Sequence, residues 1–290
     1  MLMSEPVSIM VAGRATVDLI MEINQFSVRA EKFKANNSLF VVGGPGANAS
    51  IAIARFGGRP SLITYLGDDM MGKFIHQKLT DETVDLSMSI ISPNAQSSVS
   101  AAFVDNKGER QTFNFPGKDF SELPNALKPD FKPSAILADN RHFELTKWAI
   151  KVGQNRRLPI VIDAEAPFNK SHAVGATHLA FSKQGLASFC PGCDILTGLR
   201  QALIETGCWV CVTDGENGVW HLEKNILKNT PAFSVKSRDT VGAGDVWHGI
   251  FTLCLGEGME EVEAITTANA AAAMKCEKFG GINASPDRQS

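Results

Sequence analysis

Short apolar runs rich in strand-forming residues recur along this chain, and segments of helical period separate them. Residues 9–11, 61–66, 135–138, 159–163, 178–181 and 209–212 are of the first kind, and residues 49–58, 74–79, 145–155, 196–205 and 260–275 are of the second. Apolar runs too short for a buried helix read as strands covered on both faces. Strands that alternate with helices pair in parallel, because each crossover lays a helix on the sheet. The expected fold class is therefore α/β, a mostly parallel sheet with helices on both faces, and ligands belong at the carboxyl ends of its strands. Two segments break the alternation. Residues 18–42 and 97–115 have no following helix, and within the second, residues 99–104, the turn Asp105-Asn106-Lys107-Gly108 and residues 111–115 read as a hairpin. Paired together they would form a small antiparallel sheet outside the main one. With no repeat, low-complexity tract or long linker, residues 1–290 are expected to form a single domain carrying this discontinuous β unit.

Composition removes several classes of partner. At 290 residues and 44% hydrophobic content the chain can bury a large core. A formal net charge of -3, from 28 basic and 31 acidic side chains, provides no general field for nucleic acid or an anionic membrane. Any anionic ligand must be met by local charge. No basic residue precedes the first apolar run, and residues 9–13 are too short for a signal sequence or a membrane span, so a cytoplasmic protein is expected. Six cysteines include the pairs Cys190-x-x-Cys193 and Cys208-x-x-Cys211, which imitate the spacing of a zinc ribbon. Cys208 and Cys211 fall on a strand, where residues three apart face opposite ways and could not share a metal. The expectation is buried free thiols acting as small hydrophobes, with a redox or metal role left open for Cys190-Pro191-Gly192-Cys193.

Asp239-Thr240-Val241-Gly242-Ala243-Gly244-Asp245 carries the chemistry. If a helix starts at the glycines, its unpaired N–H groups and dipole form an anion site with the Asp245 carboxylate beside it. A base next to such a cradle can take the proton from an attacking hydroxyl while the amides stabilise charge on a transferred phosphoryl group. A Gly-rich turn capped by an aspartate would explain the same residues when taken alone.

The string resembles the D-T-x-G-A-G-D signature of the PfkB (ribokinase-like) family of carbohydrate kinases. Gly43-Gly44-Pro45-Gly46-Ala47-Asn48-Ala49 and Leu66-Gly67-Asp68-Asp69-Met70-Met71-Gly72 resemble the family's other motif, in the family's order. The resemblance implies a ribokinase-like three-layer α/β/α fold, with 18–42 and 97–115 as a β lid over the sugar whose exposed face forms a homodimer. It implies ATP and Mg2+ as cofactors and a small-molecule sugar as acceptor. Asp245 would be the catalytic base, or hold a metal-bound water, with Gly242, Ala243 and Gly244 as the anion hole, whereas His248, one turn on, reads as a packed residue. Asp18, Gly43, Gly44 and Asn48 match positions that bind sugar hydroxyls. Thr213, Gly215 and Gly218 match the family's T-x-G-x-x-G at the nucleotide, and Asn269 lies in an Ala-rich helix resembling the one that flanks adenine, although packing would explain that helix equally well. In place of the family's N-x-x-E this chain has Ser182-Lys183-Gln184-Gly185. Asp163 and Glu165 are then the acidic candidates for hydrated magnesium, and a K+ ion near Asp239, found in part of the family, is left open.

Within the family the chain most resembles the sulfofructose kinase branch, through Lys32, Asn114 and Arg141, and shares with it the missing N-x-x-E. That branch phosphorylates 6-deoxy-6-sulfofructose at its C1 hydroxyl. Two cations and an amide at one end of a sugar would hold a fixed anion and reject a neutral hexose, which would leave both charges desolvated and unpaired. A carboxylate such as 2-keto-3-deoxygluconate, or a phosphate, fits the same charges, and solvated surface cations are the plain alternative. Fructose and ribose remain as neutral substrates. A sugar-binding regulator with a kinase fold would be expected to have lost the base or the anion hole, and both are intact here.

Overall fold

The apolar runs pair into an eight-stranded sheet in the computed structural model, which describes residues 6–27, 29–106, 109–124, 127, 129, 131–278 and 280–288. The strands are β1 (Ser8–Ala12), β4 (Arg59–Ile63), β9 (Ala135–Asp139), β10 (Ile160–Ala164), β11 (His178–Ser182), β12 (Trp209–Thr213), β13 (Val219–Glu223) and β14 (Ile226–Thr230). Their order is β14-β13-β12-β11-β10-β9-β1-β4, parallel from β4 to β12 and antiparallel across β12-β13-β14.

Alternate residues of each strand feed different layers. Ile9 and Val11 of β1 pack beneath α1 (Pro45–Arg55), α2 (Met70–Asp81), α6 (Ala243–Gly256) and α7 (Glu261–Cys276). Met10 and Ala12 pack beneath α3 (Phe143–Arg156), α4 (Lys183–Phe189) and α5 (Ile195–Thr206). The result is the three-layer α/β/α architecture. Cys211 sits in the first layer and Cys208 in the second, as their spacing on a strand requires. Residues 61–66 are two strands rather than one: Thr64 interrupts the ladder, accepting the Ala15 N–H at 3.2 Å on Oγ1 and the Ile90 N–H at 2.8 Å on its carbonyl. Past it, β5 (Tyr65–Gly67) pairs with β6 (Ile90–Ser92).

A second sheet, ordered β3-β2-β7-β8, consists of β2 (Thr16–Glu22), β3 (Asn37–Gly43), β7 (Val99–Val104) and β8 (Arg110–Phe115). It is mixed rather than antiparallel, because β2 and β7 lie in parallel and join two hairpins side by side. Ile20, Val41 and Ala102 form its small core, and every residue of β8 is exposed. Lys107 and Gly108 of the proposed turn lie outside the described residues. No helix among those described is long and apolar enough to cross a membrane.

The cysteine expectation needs one correction. Cys190 and Cys193 form a disulfide, because the chain reverses between α4 and α5 and brings their Cα atoms to 5.6 Å, whereas on a strand they would diverge. Cys208, Cys211 and Cys254 are buried free thiols, and Cys276 is half-buried.

Helices α1 and α6 cross at close range through small residues. A Cβ on Gly249 would stand 2.7 Å from the Ala49 carbonyl oxygen and 3.0 Å from its Cα. Gly249→Val is therefore expected to cost about 1–3 kcal/mol through overpacking. Urea denaturation checks this, and an unchanged midpoint would contradict the crossing.

Candidate active site

The N-termini of α1 and α6 meet above the carboxyl ends of the strands. Gly242 caps α6 in the left-handed region, φ 78°, where a Cβ is strained, and this bend aims the first amides of the helix into the cleft. The Ala243 N–H turns back to the Thr240 carbonyl at 3.2 Å, so the expected three-amide hole changes membership. Val246 N–H already bonds the Gly242 carbonyl, and the amides at the helix mouth are those of Gly242, Gly244 and Asp245. In the same turn the Asp245 carboxylate accepts the Asn48 Nδ2–H at 2.6 Å. Burial pushes the Asp245 pKa above the ordinary carboxylate value; the Asn48 bond and His248 oppose this, while Glu165 and Asp139 add to it.

Beneath Asp245 lies an acidic floor. Asp139 and Asp163 are paired on neighbouring strands. Asp139 is consumed by structure: its two oxygens accept the backbone N–H of Arg14 at 2.6 Å and of Arg141 at 3.0 Å, tying two loops together. Asp163 is enclosed, with Oδ1 3.5 Å from His248 Nδ1. Burial pushes its pKa up to about 7 against the pull of His248. This burial against an imidazole argues against its reading as a ligand of hydrated magnesium, an ion that keeps most of its waters. His248 is indeed buried, but it is a neighbour of Asp163 rather than a spectator, and its Nε2 stands 3.3 Å from the Ala180 carbonyl. Glu165 is half-buried past the end of β10. Among the described residues no three His, Cys, Asp or Glu side chains are grouped so that they could hold a metal ion.

Asp18 faces the cleft from β2, its Oδ1 accepting the Ser100 Oγ–H at 2.7 Å. A Cβ at Gly43 would overlap that carboxylate, so a larger residue there would push the Asp18 side chain aside. Gly44 caps α1, and Asn48, 4% exposed, has its Oδ1 without a hydrogen-bond partner. A buried acceptor beside the Asp245 carboxylate is placed for a ligand donor.

Asn114 and Arg141 both come to Arg14, a residue that the sequence analysis overlooked. Arg14 and Arg141 lie two residues past the ends of the adjacent strands β1 and β9. Arg14 Nη1 donates to Asn114 Oδ1 at 3.1 Å, bridging the two sheets, and Arg141 Nη1 donates to the Ala166 carbonyl at 3.2 Å. Burial lowers the Arg14 pKa, Asp139 opposes this, and Arg141 lowers it further. Lys32 lies exposed on the β2–β3 connection, and no contact brings it to these groups.

Thr213 closes β12, and Gly215 and Gly218 bracket a short 3-10 turn after it. Lys183 and Asp214 pair across it at 2.7 Å. Asn269 is corrected: its Oδ1 accepts Trp247 Nε1–H at 2.8 Å, and its Nδ2 donates to the carbonyls of Thr230 (3.3 Å) and Pro231 (3.0 Å), so its amide is spent within the protein. Ser182 and Gly185 form the cap of α4, the Ser182 Oγ accepting the Gly185 N–H at 2.9 Å. Beside Asp239, the place considered for K+, stands the ammonium of Lys275, 3.3 Å from Oδ2.

A phosphoryl-transfer cleft in a three-layer fold agrees with the comparisons. Residues 7–288 match the pfkB family of carbohydrate kinases, and the chain belongs to that family. It is an ATP-dependent sugar kinase with an alcohol as acceptor. Ribokinase of Bacillus subtilis (strain 168) is 25% identical over 288 residues, 97% of each chain. Fructokinase of Vibrio alginolyticus is 28% identical over 304 residues, 95% of each. A crystal structure from Agrobacterium tumefaciens, described provisionally as a ribokinase, superposes with a TM-score of 0.92 at 28% identity, covering 98% of this chain and 95% of the other.

Asp18 carries a stability signature. Burial raises its pKa from 3.8 to about 6, with the Ser100 bond opposing and Asp245 adding, so between those values the folded state binds more protons than the unfolded. Its ionised form therefore costs stability above about pH 6, and that cost fades as pH falls through 6 towards 3.8. Asp18→Asn is expected to raise Tm at pH 7 by about 2–4 °C, the response to ~1 kcal/mol in a protein of this size. Below pH 3.8 the gain should vanish. Thermal melts at the two pH extremes test this, and a lower Tm at pH 7 would contradict it.

Proposed function

We propose that the chain transfers the γ-phosphoryl group of ATP to a primary hydroxyl of an anionic ketose, 6-deoxy-6-sulfofructose being the best match to the charges. The observation that carries this is the pair of guanidiniums, Arg14 and Arg141, each two residues past the end of one of two adjacent strands, with the Asn114 amide against one of them. The Arg14 guanidinium, whose basicity burial and the neighbouring Arg141 both lower, favours a ligand bringing negative charge between the two cations, and a guanidinium fork matches the oxygens of a sulfonate. Lys32, on the connection above, would reach the same anion only if the second sheet closes over it as a lid.

The geometry supports a proton path through Asp245. Asp245, with its raised pKa, takes the proton of the hydroxyl, Asn48 holds the carboxylate in place, and the amides of Gly242, Gly244 and Asp245 receive the negative charge on the transferred group. Asp18, Gly43 and Asn48 position the sugar, with Asn48 Oδ1 accepting from a hydroxyl. Thr213, Gly215 and Gly218 line the nucleotide. Magnesium, arriving with the nucleotide, would neutralise phosphate charge, and Glu165 is the carboxylate with room for its waters. Closure of the lid would exclude water from the phosphates. The exposed Phe33, Phe113 and Phe115 on and beside that sheet form the face of a homodimer, and the protein acts in the cytoplasm.

Asp245→Asn should lower kcat by about 10²–10⁴-fold with little change in KM. On a panel of sulfofructose, 2-keto-3-deoxygluconate, fructose and ribose, Arg14→Ala and Arg141→Ala should each reduce kcat/KM on the anionic sugar about 10–100-fold more than on fructose. Equal losses on both would remove the anion clamp, and an active Asp245→Asn would remove the mechanism.

A further inference from the structure

Lys275 lies in the last turn of α7, and none of its surface reaches solvent (0%). A lysine is almost never enclosed in this way unless paired, since its ammonium gives up hydration. Here Nζ donates to the Asp239 main-chain carbonyl at 2.8 Å and stands 3.3 Å from Asp239 Oδ2. Asp239 in turn accepts the Val241 N–H on Oδ1 at 2.8 Å, and the N–H groups of Gly280 and Gly281 on Oδ2 at 3.1 and 2.8 Å. The N–H groups of Arg238 and Asp239 both reach the Cys276 carbonyl, at 2.7 and 3.2 Å. This web fastens the segment leading into the anion cradle, residues 239–242, to the end of α7 and to the turn at 280–281.

Lys275 touches neither the base nor the sugar positions, so its work is on the cradle. A compact charge among a carboxylate oxygen and a main-chain carbonyl has the surroundings of a small desolvated monovalent cation, and the lysine stem delivers that charge covalently. The last turn of a helix, where the dipole is negative, also favours it. We infer that the Lys275 ammonium is a built-in monovalent cation: a positioning residue that holds the 239–242 segment so that the helix-mouth amides meet the phosphoryl group, with no K+ required. This rests on the kinase reading proposed above and extends it to a residue outside the cleft.

The test is a kinase assay in tetramethylammonium buffer, with and without K+ or NH4+. The wild type should change by less than about twofold, since its cation is covalent, and Lys275→Ala should lose about 10–100-fold in kcat in tetramethylammonium, the scale of a misplaced oxyanion donor, with sugar KM little changed. K+ or NH4+ should restore the variant at least about fivefold, entering the space left by the ammonium. A wild type strongly activated by K+, a variant with wild-type kcat in tetramethylammonium, or a folded variant that neither ion rescues would each overturn the inference. If Lys275→Ala is too unstable to assay, its Tm is the readout. A rise with K+ or NH4+ that the wild type does not show is expected, and no rise overturns the inference. Absence of turnover by the wild type on every sugar would instead strike the kinase reading, and the variant's cation-specific Tm would still judge the site.

Discussion

The hydrogen bond from Asn48 to Asp245 joins two helix N-termini that the sequence separates by 197 residues, and the active cleft depends on that meeting. It forms because α1 and α6 cross at small side chains, with Gly249 lying against Ala49, so that their first turns arrive at one point above the sheet. The bond fixes the direction of the carboxylate, and the left-handed Gly242 fixes the direction of the amides. On the proposed mechanism, a carboxylate and helix-mouth amides held by the same two helices need little rearrangement when the transferred group arrives, which is where preorganised dipoles act most strongly.

The surrounding electrostatics are costly for the fold and useful to the chemistry. Asp18, Asp139, Asp163, Glu165 and Asp245 crowd the carboxyl ends of the strands, and burial raises the pKa of Asp18, Asp163 and Asp245. Each is handled differently: Asp139 is spent on backbone N–H groups, Asp163 faces His248, and Asp245 keeps one bond to Asn48. Asp245 is thus the acid in this group that combines a raised proton affinity with a neighbouring anion site, the combination that a proton acceptor working near neutral pH requires. Past Asp139 the sign reverses, with Arg141 near enough to lower the pKa of Arg14.

Much of this was legible in the sequence because it is local or periodic. The apolar runs place the parallel strands, the glycines and Asp245 place the helix mouth, and strand spacing correctly sends Cys208 and Cys211 to different layers. What escaped depends on partners distant in the chain. The Cys190–Cys193 disulfide is set by a chain reversal that no period encodes. Asn269 carries the composition of a ligand-facing helix, yet its amide is taken by Trp247 and by the 230–231 carbonyls. Arg14 could have been found: a cation two residues past one strand, mirrored by Arg141 two residues past its neighbour, is a pattern visible once strand order is known. Lys275 could not, since only folding brings it to Asp239, 36 residues away.

The most direct measurement is a crystal structure with ADP, magnesium, an acceptor sugar and a fluorometallate in place of the transferred phosphoryl group. The account predicts the fluorometallate on the amides of Gly242, Gly244 and Asp245, with the attacking sugar oxygen within hydrogen-bond reach of the Asp245 carboxylate. An acceptor oxygen held instead by Asp18 or Asp163, with Asp245 still turned to Asn48 and away from the sugar, would contradict it.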